Sequence, residues 1–379
     1  MLDRPVVSVV MVAFGRGWPW VPRALEALRR NTVEAFEVIL VDNGGSDDRP
    51  APESVSVEIV RNPENVGFGV GSNQGVALAR GEFVCLLNTD VLVEPGWLPP
   101  LLERLREPEV GAVFPALLDL DGTMQEAGAF VTGQAHSYVF GAGDDPDSPE
   151  YRFPRDVDYG SAACLCMTKR RYESVGGFDP AYRVAYFEDV DLCFRLRNQG
   201  LRLVYEPRAR VKHARSVSAP STELPDSYTA NREVFLSRWR HAIDGRPAYD
   251  RIRRDRRVRL AARDLHARRR LLLLGATDGT RRLAAEVART EPQARVTLLA
   301  RSVAEPDESA LLGSGVEVVQ TARRLRWLVG RAGHYSHVVW PEDGGSRLLR
   351  AALRWTQRRA RFVDMDELET VADVPASSL

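Results

Sequence analysis

The chain has 379 residues, is 44% hydrophobic and carries a formal net charge of +0. That is enough for two ordinary domains or one large one with a real core, and the charge balance excludes a global drive towards nucleic acid or anionic surfaces. No apolar run approaches the roughly 18–20 residues needed to span a bilayer, and the opening "MLDRPVVSVVMVAF" places an acid and a Pro before a short apolar run, unlike a signal peptide. A cytoplasmic protein is expected, with its four cysteines (85, 164, 166, 193) as buried thiols, since their spacing fits no zinc site.

The β-branched run "VVSVVMVAF" (6–14), bounded by Pro and Gly, predicts a buried strand, and "WVPRALEALRRNT" after it a helix. "FEVILVDNGGSDD" (36–48) predicts a second buried strand ending at Asp42, and "VSVEIVRN" a third. "VGSNQGVALARG" reads as a helix and "EFVCLLNTD" as a fourth strand ending at Asp90. Strands alternating with helices indicate an α/β domain with a mainly parallel sheet, whose ligands sit beyond the carboxyl ends of the strands. Asp42 and Asp90 both occupy such ends. In "LNTD" (87–90), Asn88 and Asp90 share one side of an extended chain, so one amide and one carboxylate stand where two carboxylates would cradle a divalent metal and a diphosphate.

From about 108 to 160 the pattern loosens, and "GAGDDPDSPEYRFPRD" (141–156) reads as a loop. "YGSAACLCMTKRRYESVGGFDPAY" predicts a strand, a short helix and a turn; "YFEDVDLCFRLRNQG" (186–200) a helix capped by Gly200; "LRLVYEP" and "ARVKHA" two short strands. "ARSVSAPSTELPD" (214–226) is a polar loop and "SYTANREVFLSRW" a closing helix. Residues 246–270 hold eleven Arg against three Asp, either a solvated helix or linker, or a patch for anionic lipid or an anionic acceptor. Beyond 270 five strand-like runs, "RLLLLGA", "RVTLLA", "VEVVQ", "HVVWP" and "RFVDM", predict a second, smaller Rossmann-like α/β domain. Its glycine turn "GATDGT" lacks the G-x-G-x-x-G spacing of a dinucleotide site. The expected organisation is therefore 1–245, an Arg-rich linker or helix over 246–270, and 271–379.

Four features in order carry a resemblance: Asp42-Asn43-Gly44, "NPENVGFGVGSNQG" (62–75), "LNTD", and "FEDVDLCFRLR" (187–197) followed by His213. Together with "GGFDPAY" and the closing "ANREVFLSRW", the set over residues 6 to about 240 resembles the family 2 glycosyltransferases of the GT-A fold, rhamnosyltransferase-like branch. The strand-one ending departs from the family's Thr-Tyr-Asn-like triplet and is Ala13-Phe14-Gly15, which leaves backbone contacts to the donor there.

The resemblance implies an inverting, metal-dependent transfer from a nucleotide-sugar donor, dTDP-L-rhamnose or a UDP-sugar, to a glycan or lipid-linked acceptor of cell-surface polysaccharide, with peripheral contact at the inner membrane face. The metal would be Mg²⁺ or Mn²⁺, held by Asp90, with the diphosphate and water completing its shell, and by His213, an imidazole suiting Mn²⁺ better than Mg²⁺. Asp189 maps to the catalytic base, supported by Glu188; Asp191 and Gly160 fall on the acceptor side. Ala13, Phe14, Asp42, Asn43, Asn65, Gly67, Asn73, Asn88, Thr89 and Asp90 would line the donor, with Asp42 accepting from a pyrimidine N3–H. The acceptor loops would be 133–158 and 214–226. Each residue also has a plain structural reading: strand-end caps for the aspartates, a satisfied histidine, turn chemistry for Asn and Gly, and helix-dipole pairing for the three acids. Two rival functions are a sugar nucleotidyltransferase, whose Gly-rich basic segment is absent from "GRGWPW", and a glycan-binding pseudo-enzyme. A processive membrane synthase would need spans and a Gln-x-x-Arg-Trp segment, of which "LSRWR" keeps only the last two residues.

Overall fold

The computed structural model describes residues 4–44, 56–215, 224–340 and 347–363. The chain divides into two compact units, residues 1–146 with 157–248, and residues 147–156 with 249–379.

In the first unit, β1 (Val7–Ala13) leads through a 3₁₀ turn into α1 (Val21–Asn31), then β2 (Phe36–Asn43), β3 (Val57–Asn62), α2 (Phe68–Leu78) and β4 (Phe83–Leu87). β5 (Val91–Val93), α3 (Leu98–Leu105), β6 (Val110–Leu118), β7 (Met124–Glu126) and the hairpin β8 (Ala129–Val131) and β9 (Ser137–Val139) follow. The unit closes with β10 (Cys164–Thr168), α4 (Lys169–Ser174), α5 (Glu188–Asn198), β11 (Arg202–His213) and α6 (Leu224–Ile243). The main sheet runs β11-β6-β10-β4-β1-β2-β3, with β5 pairing β11 and β7 pairing β6. β1 to β4 form a parallel block in which β1, β2 and β4 are buried on both faces, hence their near-continuous apolar runs, while β3 is the partly exposed edge.

Register decides where the polar ends fall. Ala13 pairs with Asp42, Asp42 with Arg61, and Asn43 with Asn62, so β1, β2 and β3 end together. β10 runs antiparallel to β4 with Cys164 opposite Leu87, which brings the start of β10 to the same edge. β5 runs antiparallel to the end of β11 with His213 opposite Val91, one residue from Asp90. Three sequence expectations change here. The two short strands expected at 201–214 are one strand with a register shift between Glu206 and Arg210. The loosely patterned 108–160 stretch contains β6, nine residues all buried. Part of the expected loop at 141–156 belongs to the second unit, where Phe153 is buried in the core.

α5 and α6 meet through one buried acid. Asp191 is 0% exposed and accepts from Tyr182 Oη at 3.0 Å, Trp239 Nε1 at 2.8 Å and Arg195 Nε at 2.7 Å. The rings of Phe187, Phe194, Phe235 and Trp239 meet one another in tilted and edge-on contacts between the same two helices.

The second unit holds α7 (Tyr249–Arg254), α8 (Arg256–Arg263), β12 (Arg269–Leu274), α9 (Asp278–Thr290), β13 (Ala294–Ala300), α10 (Glu305–Gly313), β14 (Val316–Gln320), α11 (Arg324–Val329), β15 (His337–Val339), α12 (Arg347–Thr356) and β16 (Arg361–Val363). Its sheet is wholly parallel in the order β14-β13-β12-β15-β16, a doubly wound arrangement. The Arg-rich segment is helical, and not all of it faces solvent. Arg263 is buried against Asp264 (2.9 Å) and Glu317 (3.4 Å), Arg295 and Arg331 complete the ionic cluster, and His334 Nε2 lies 3.0 Å from Asp264 Oδ2. All four cysteines are buried free thiols.

Asp191→Ala leaves Arg195 Nε and the Trp239 N–H without their acceptor. It is expected to cost about 3 kcal/mol and lower the melting temperature by roughly 6–12 °C, measured by calorimetry of the whole chain.

Candidate active site

The ends of β2 and β3 carry an amide network that shapes the loop before α2. Asn43 Nδ2 donates to Asn65 Oδ1 at 2.8 Å and to the Gly67 carbonyl at 3.2 Å; its Oδ1 accepts from Val66 N–H at 3.1 Å and Asn62 Nδ2 at 3.2 Å. Gly67 sits at φ 88°, where a side chain is strained, and an added Cβ would lie 3.2 Å from Val184 N. Asp42 is buried beside this network and accepts from Arg61 Nη1 at 3.1 Å. Ala13 is buried and Phe14 half-buried at the adjoining end of β1. Asn73 faces elsewhere. Its Nδ2 donates to the Phe178 carbonyl, and its Oδ1 accepts from Phe178 N–H and Tyr172 Oη, so it braces α2 against the 177–178 turn.

After β4, Asn88 donates its N–H to the Ala163 carbonyl and its own carbonyl accepts from Val91 N–H, which fixes Thr89 and Asp90 in a tight turn. Thr89 is buried there, and Asp90 is 1% exposed. Neither Asp90 oxygen has a hydrogen-bond partner. A buried carboxylate without donors is costly, and a bound cation removes that cost. His213 Nε2 lies 3.3 Å from Asp90 Oδ1, and the Ala214 N–H donates to the Asp90 carbonyl at 3.1 Å. Among the described residues, no group of three or more His, Cys, Asp or Glu side chains is arranged to hold a metal. A cation at Asp90 and His213 would have two side-chain ligands there and would need the rest of its shell from outside the protein.

The second cluster is built on consecutive backbone amides. Ser161 N–H donates to Glu126 Oε1 at 2.8 Å, and Ala162 N–H to Asp189 Oδ2 at 3.3 Å. Gly160 precedes them packed on Phe114, whose ring would be 2.4 Å from an added Cβ. Burial raises the proton affinity of Asp189. Burial, then the adjacent Asp189 charge, pushes Glu188 well above the usual carboxylate range, and Glu188 Oε2 has no partner. Glu126 is pushed up to about 7, first by burial and next by the charge of Asp189.

Glu188 and Asp189 open α5 after a strained turn. Val184, Tyr186 and Phe187 all have left-handed φ (63°, 78° and 71°), at about 1–3 kcal/mol each. Asn231 of α6 holds this turn. Its Nδ2 donates to the carbonyls of Arg183, Ala185 and Tyr186 within 3.0 Å, and its Oδ1 accepts from Arg183 N–H. Val184 also accepts from Phe68 N–H at 2.9 Å, which ties the turn to the Gly67 loop.

The structure therefore brings Asp90 with His213, and Asp42, Asn43, Asn65 and Gly67 with one another, on aligned strand ends. Asp189 joins Gly160 through the 160–162 backbone, whereas Asp191 lies inside the α5–α6 packing. Gln125 and Glu126 were missed by the sequence reading. Their only signal is a polar pair in "MQEAG", inside a stretch with no periodicity. The expected acceptor loop at 214–226 lies largely outside the described residues.

Comparison with known proteins follows the same map. The profile of Glycosyl transferase family 2 matches residues 8–123. An N-acetylglucosaminyl-diphospho-decaprenol L-rhamnosyltransferase of Mycobacterium tuberculosis is 31% identical over 262 residues, 61% of this chain and 84% of that protein. The O-antigen biosynthesis protein RfbC of Myxococcus xanthus is 33% identical over 217 residues, 52% of this chain but only 17% of its own length. Among solved structures, the mannosyltransferase PcManGT of Pyrobaculum calidifontis in complex with GDP-Man and Mn²⁺ aligns with a TM-score of 0.44 and 16% identity, over 65% of this chain and 66% of that one. The chain belongs to glycosyl transferase family 2, and its mixed sheet with flanking helices is the GT-A architecture.

Glu126 gives a pH signature. Its folded pKa is raised, so the fold is favoured with Glu126 protonated; stability is full below the ordinary value of 4.5 and declines as pH rises through about 7. Glu126→Gln removes that slope. The variant's melting temperature is expected to gain on wild type between pH 5 and pH 8, by an equivalent of roughly 2–3 kcal/mol, measured by thermal denaturation across that range.

Proposed function

We propose that this protein is an inverting, divalent-metal-dependent glycosyltransferase that moves a sugar, L-rhamnose from dTDP-L-rhamnose or a sugar from a UDP donor, onto a glycan or lipid-linked acceptor in polysaccharide synthesis. The observation that carries this reading is the buried Asp90 carboxylate without a hydrogen-bond donor, facing His213 Nε2 on the strand-end edge that also bears the Asn43–Asn65–Gly67 loop. The rhamnose assignment draws on the 31% identical relative, named for L-rhamnosyl transfer to N-acetylglucosaminyl-diphospho-decaprenol. Among the described residues no helix is long and apolar enough to cross a membrane. Contact with an inner membrane surface, needed to reach a lipid-linked acceptor, would be peripheral; the exposed Arg251, Arg253, Arg254 and Arg257 carry suitable charge.

The chemistry is a single in-line displacement. The acceptor oxygen bonds to the anomeric carbon as the bond from that carbon to the diphosphate oxygen breaks, with oxocarbenium character between them. Asp189 takes the acceptor hydroxyl proton, and its raised proton affinity suits it to that task near neutral pH. The Ala162 N–H aims the carboxylate. Asp90 and His213 would hold a Mg²⁺ or Mn²⁺, which would supply positive charge for the leaving diphosphate. Asp42 accepts from the pyrimidine N3–H, and Asn88, whose amide both donates and accepts, meets the ribose or the sugar.

The test supplies purified chain with dTDP-L-rhamnose or a UDP-sugar, a polyprenyl-diphosphate saccharide and Mn²⁺, and reads the anomeric configuration of the product by NMR. Inversion is expected; a retained configuration overturns the mechanism. Asp189→Asn is expected to lower kcat by 10²-fold or more, whereas turnover near wild type removes Asp189 as the base. Asp90→Asn is expected to abolish the response to added Mn²⁺, and full activity of the wild type in EDTA contradicts the metal role.

A further inference from the structure

The orientation of the Gln125 amide in β7 is decidable from its neighbours. Its Nε2 lies 2.8 Å from Asp119 Oδ1 and 3.1 Å from the His213 carbonyl oxygen. Asp119 accepts from Arg215, whose Nε and Nη2 donate to its two oxygens at 2.7 Å each. Both groups facing Nε2 are acceptors, so the NH₂ end of the amide belongs there. The carbonyl end is thereby turned to His213 Nδ1, 2.7 Å away. A carbonyl oxygen only accepts, so Nδ1 carries the proton. In the neutral ring the lone pair is then on Nε2, the nitrogen 3.3 Å from Asp90 Oδ1.

We propose that Gln125 is a positioning residue that fixes His213 as its Nδ1–H tautomer and turns the Nε2 lone pair towards the cation site at Asp90. The inference rests on the metal reading above and deepens it. Without the Gln125 acceptor, His213 gains by moving its proton to Nε2 and donating it to Asp90. That single hydrogen bond would satisfy both residues and close the site to a cation. Gln125 therefore keeps the pair apart in chemistry while strand pairing keeps it together in space. Arg215 and Asp119 act behind Gln125 by holding the amide against a flip. Metal-binding histidines are commonly oriented by such a partner on the other ring nitrogen.

The test compares the full wild-type chain with Gln125→Met, near-isosteric but without an acceptor, and Gln125→Glu, which keeps the acceptor and loses the donors. The first readout is ¹⁵N NMR of histidine-labelled, metal-free protein, with His213 assigned from His213→Gln. Wild type and Gln125→Glu are expected as the Nδ1–H tautomer, and Gln125→Met as Nε2–H or a mixture. The second is Mn²⁺ affinity in the presence of UDP or dTDP, followed by electron paramagnetic resonance. Gln125→Met is expected to bind Mn²⁺ roughly 10-fold or more weakly, with Gln125→Glu far closer to wild type. A wild-type Nε2–H tautomer, or a folded Gln125→Met with unchanged tautomer and affinity, overturns the proposal. Failure of the metal reading shows separately, as Mn²⁺ binding that Asp90→Asn does not alter; the metal-free tautomer measurement still decides for or against Gln125.

Discussion

The antiparallel pairing of β5 with the end of β11 is the constraint on which the site depends. It sets His213 opposite Val91 across more than a hundred residues of chain, and so places an imidazole beside a buried carboxylate that has no donor of its own. The same sheet aligns the ends of β1, β2 and β3, so the amide network around Asn43 stands on the same edge. Slipping β11 by one residue would turn the ring to the opposite face of the sheet. The Asp90–His213 pair is thus a property of register, which the buried Val91, Val93 and Val211 of the two paired strands help to fix.

The other half of the site depends on a turn the chain would not adopt alone. Three left-handed non-glycine residues lead into Glu188 and Asp189, and one buried amide, Asn231, binds three carbonyls and an N–H of that turn. Asp191 then fastens the first turn of α5 to α6 through Trp239. The result is a pair of carboxylates at a helix N-terminus, in surroundings that favour their protonated forms. The link from Val184 to Phe68 joins this turn to the Gly67 loop, so the Glu188–Asp189 pair and that loop share one piece of backbone.

Much of this was legible in the sequence, for reasons specific to each element. Asp42 and Asp90 end continuous apolar runs, which marks strand ends without any need of partners. The "ANREVFLSRW" segment was recognisable as a family habit, and the structure supplies its physical content in Asn231 and Trp239. Gln125 and Glu126 were not legible. They sit in a three-residue strand, and their partners lie 88 and 35 residues away, so no local pattern encodes them. The Arg-rich segment was legible in part, as a helical stretch whose Arg251, Arg253, Arg254, Arg256 and Arg257 are exposed. Its charge run suggested a solvated helix or linker, or an anion-facing patch, and what it did not reveal is Arg263, buried where Asp264 and Glu317 neutralise it.

The central claim is that Asp90 and His213 together hold the metal that meets the donor diphosphate. The most direct measurement is an anomalous difference map from a crystal grown with a nucleoside diphosphate and Mn²⁺. The account predicts one peak about 2.1 Å from an Asp90 oxygen and in coordinating contact with His213 Nε2, with diphosphate oxygens and water filling the remaining positions. A Mn²⁺ ion bound away from Asp90, or a diphosphate seated on that edge with His213 hydrogen-bonded to Asp90 and no ion between them, would contradict it.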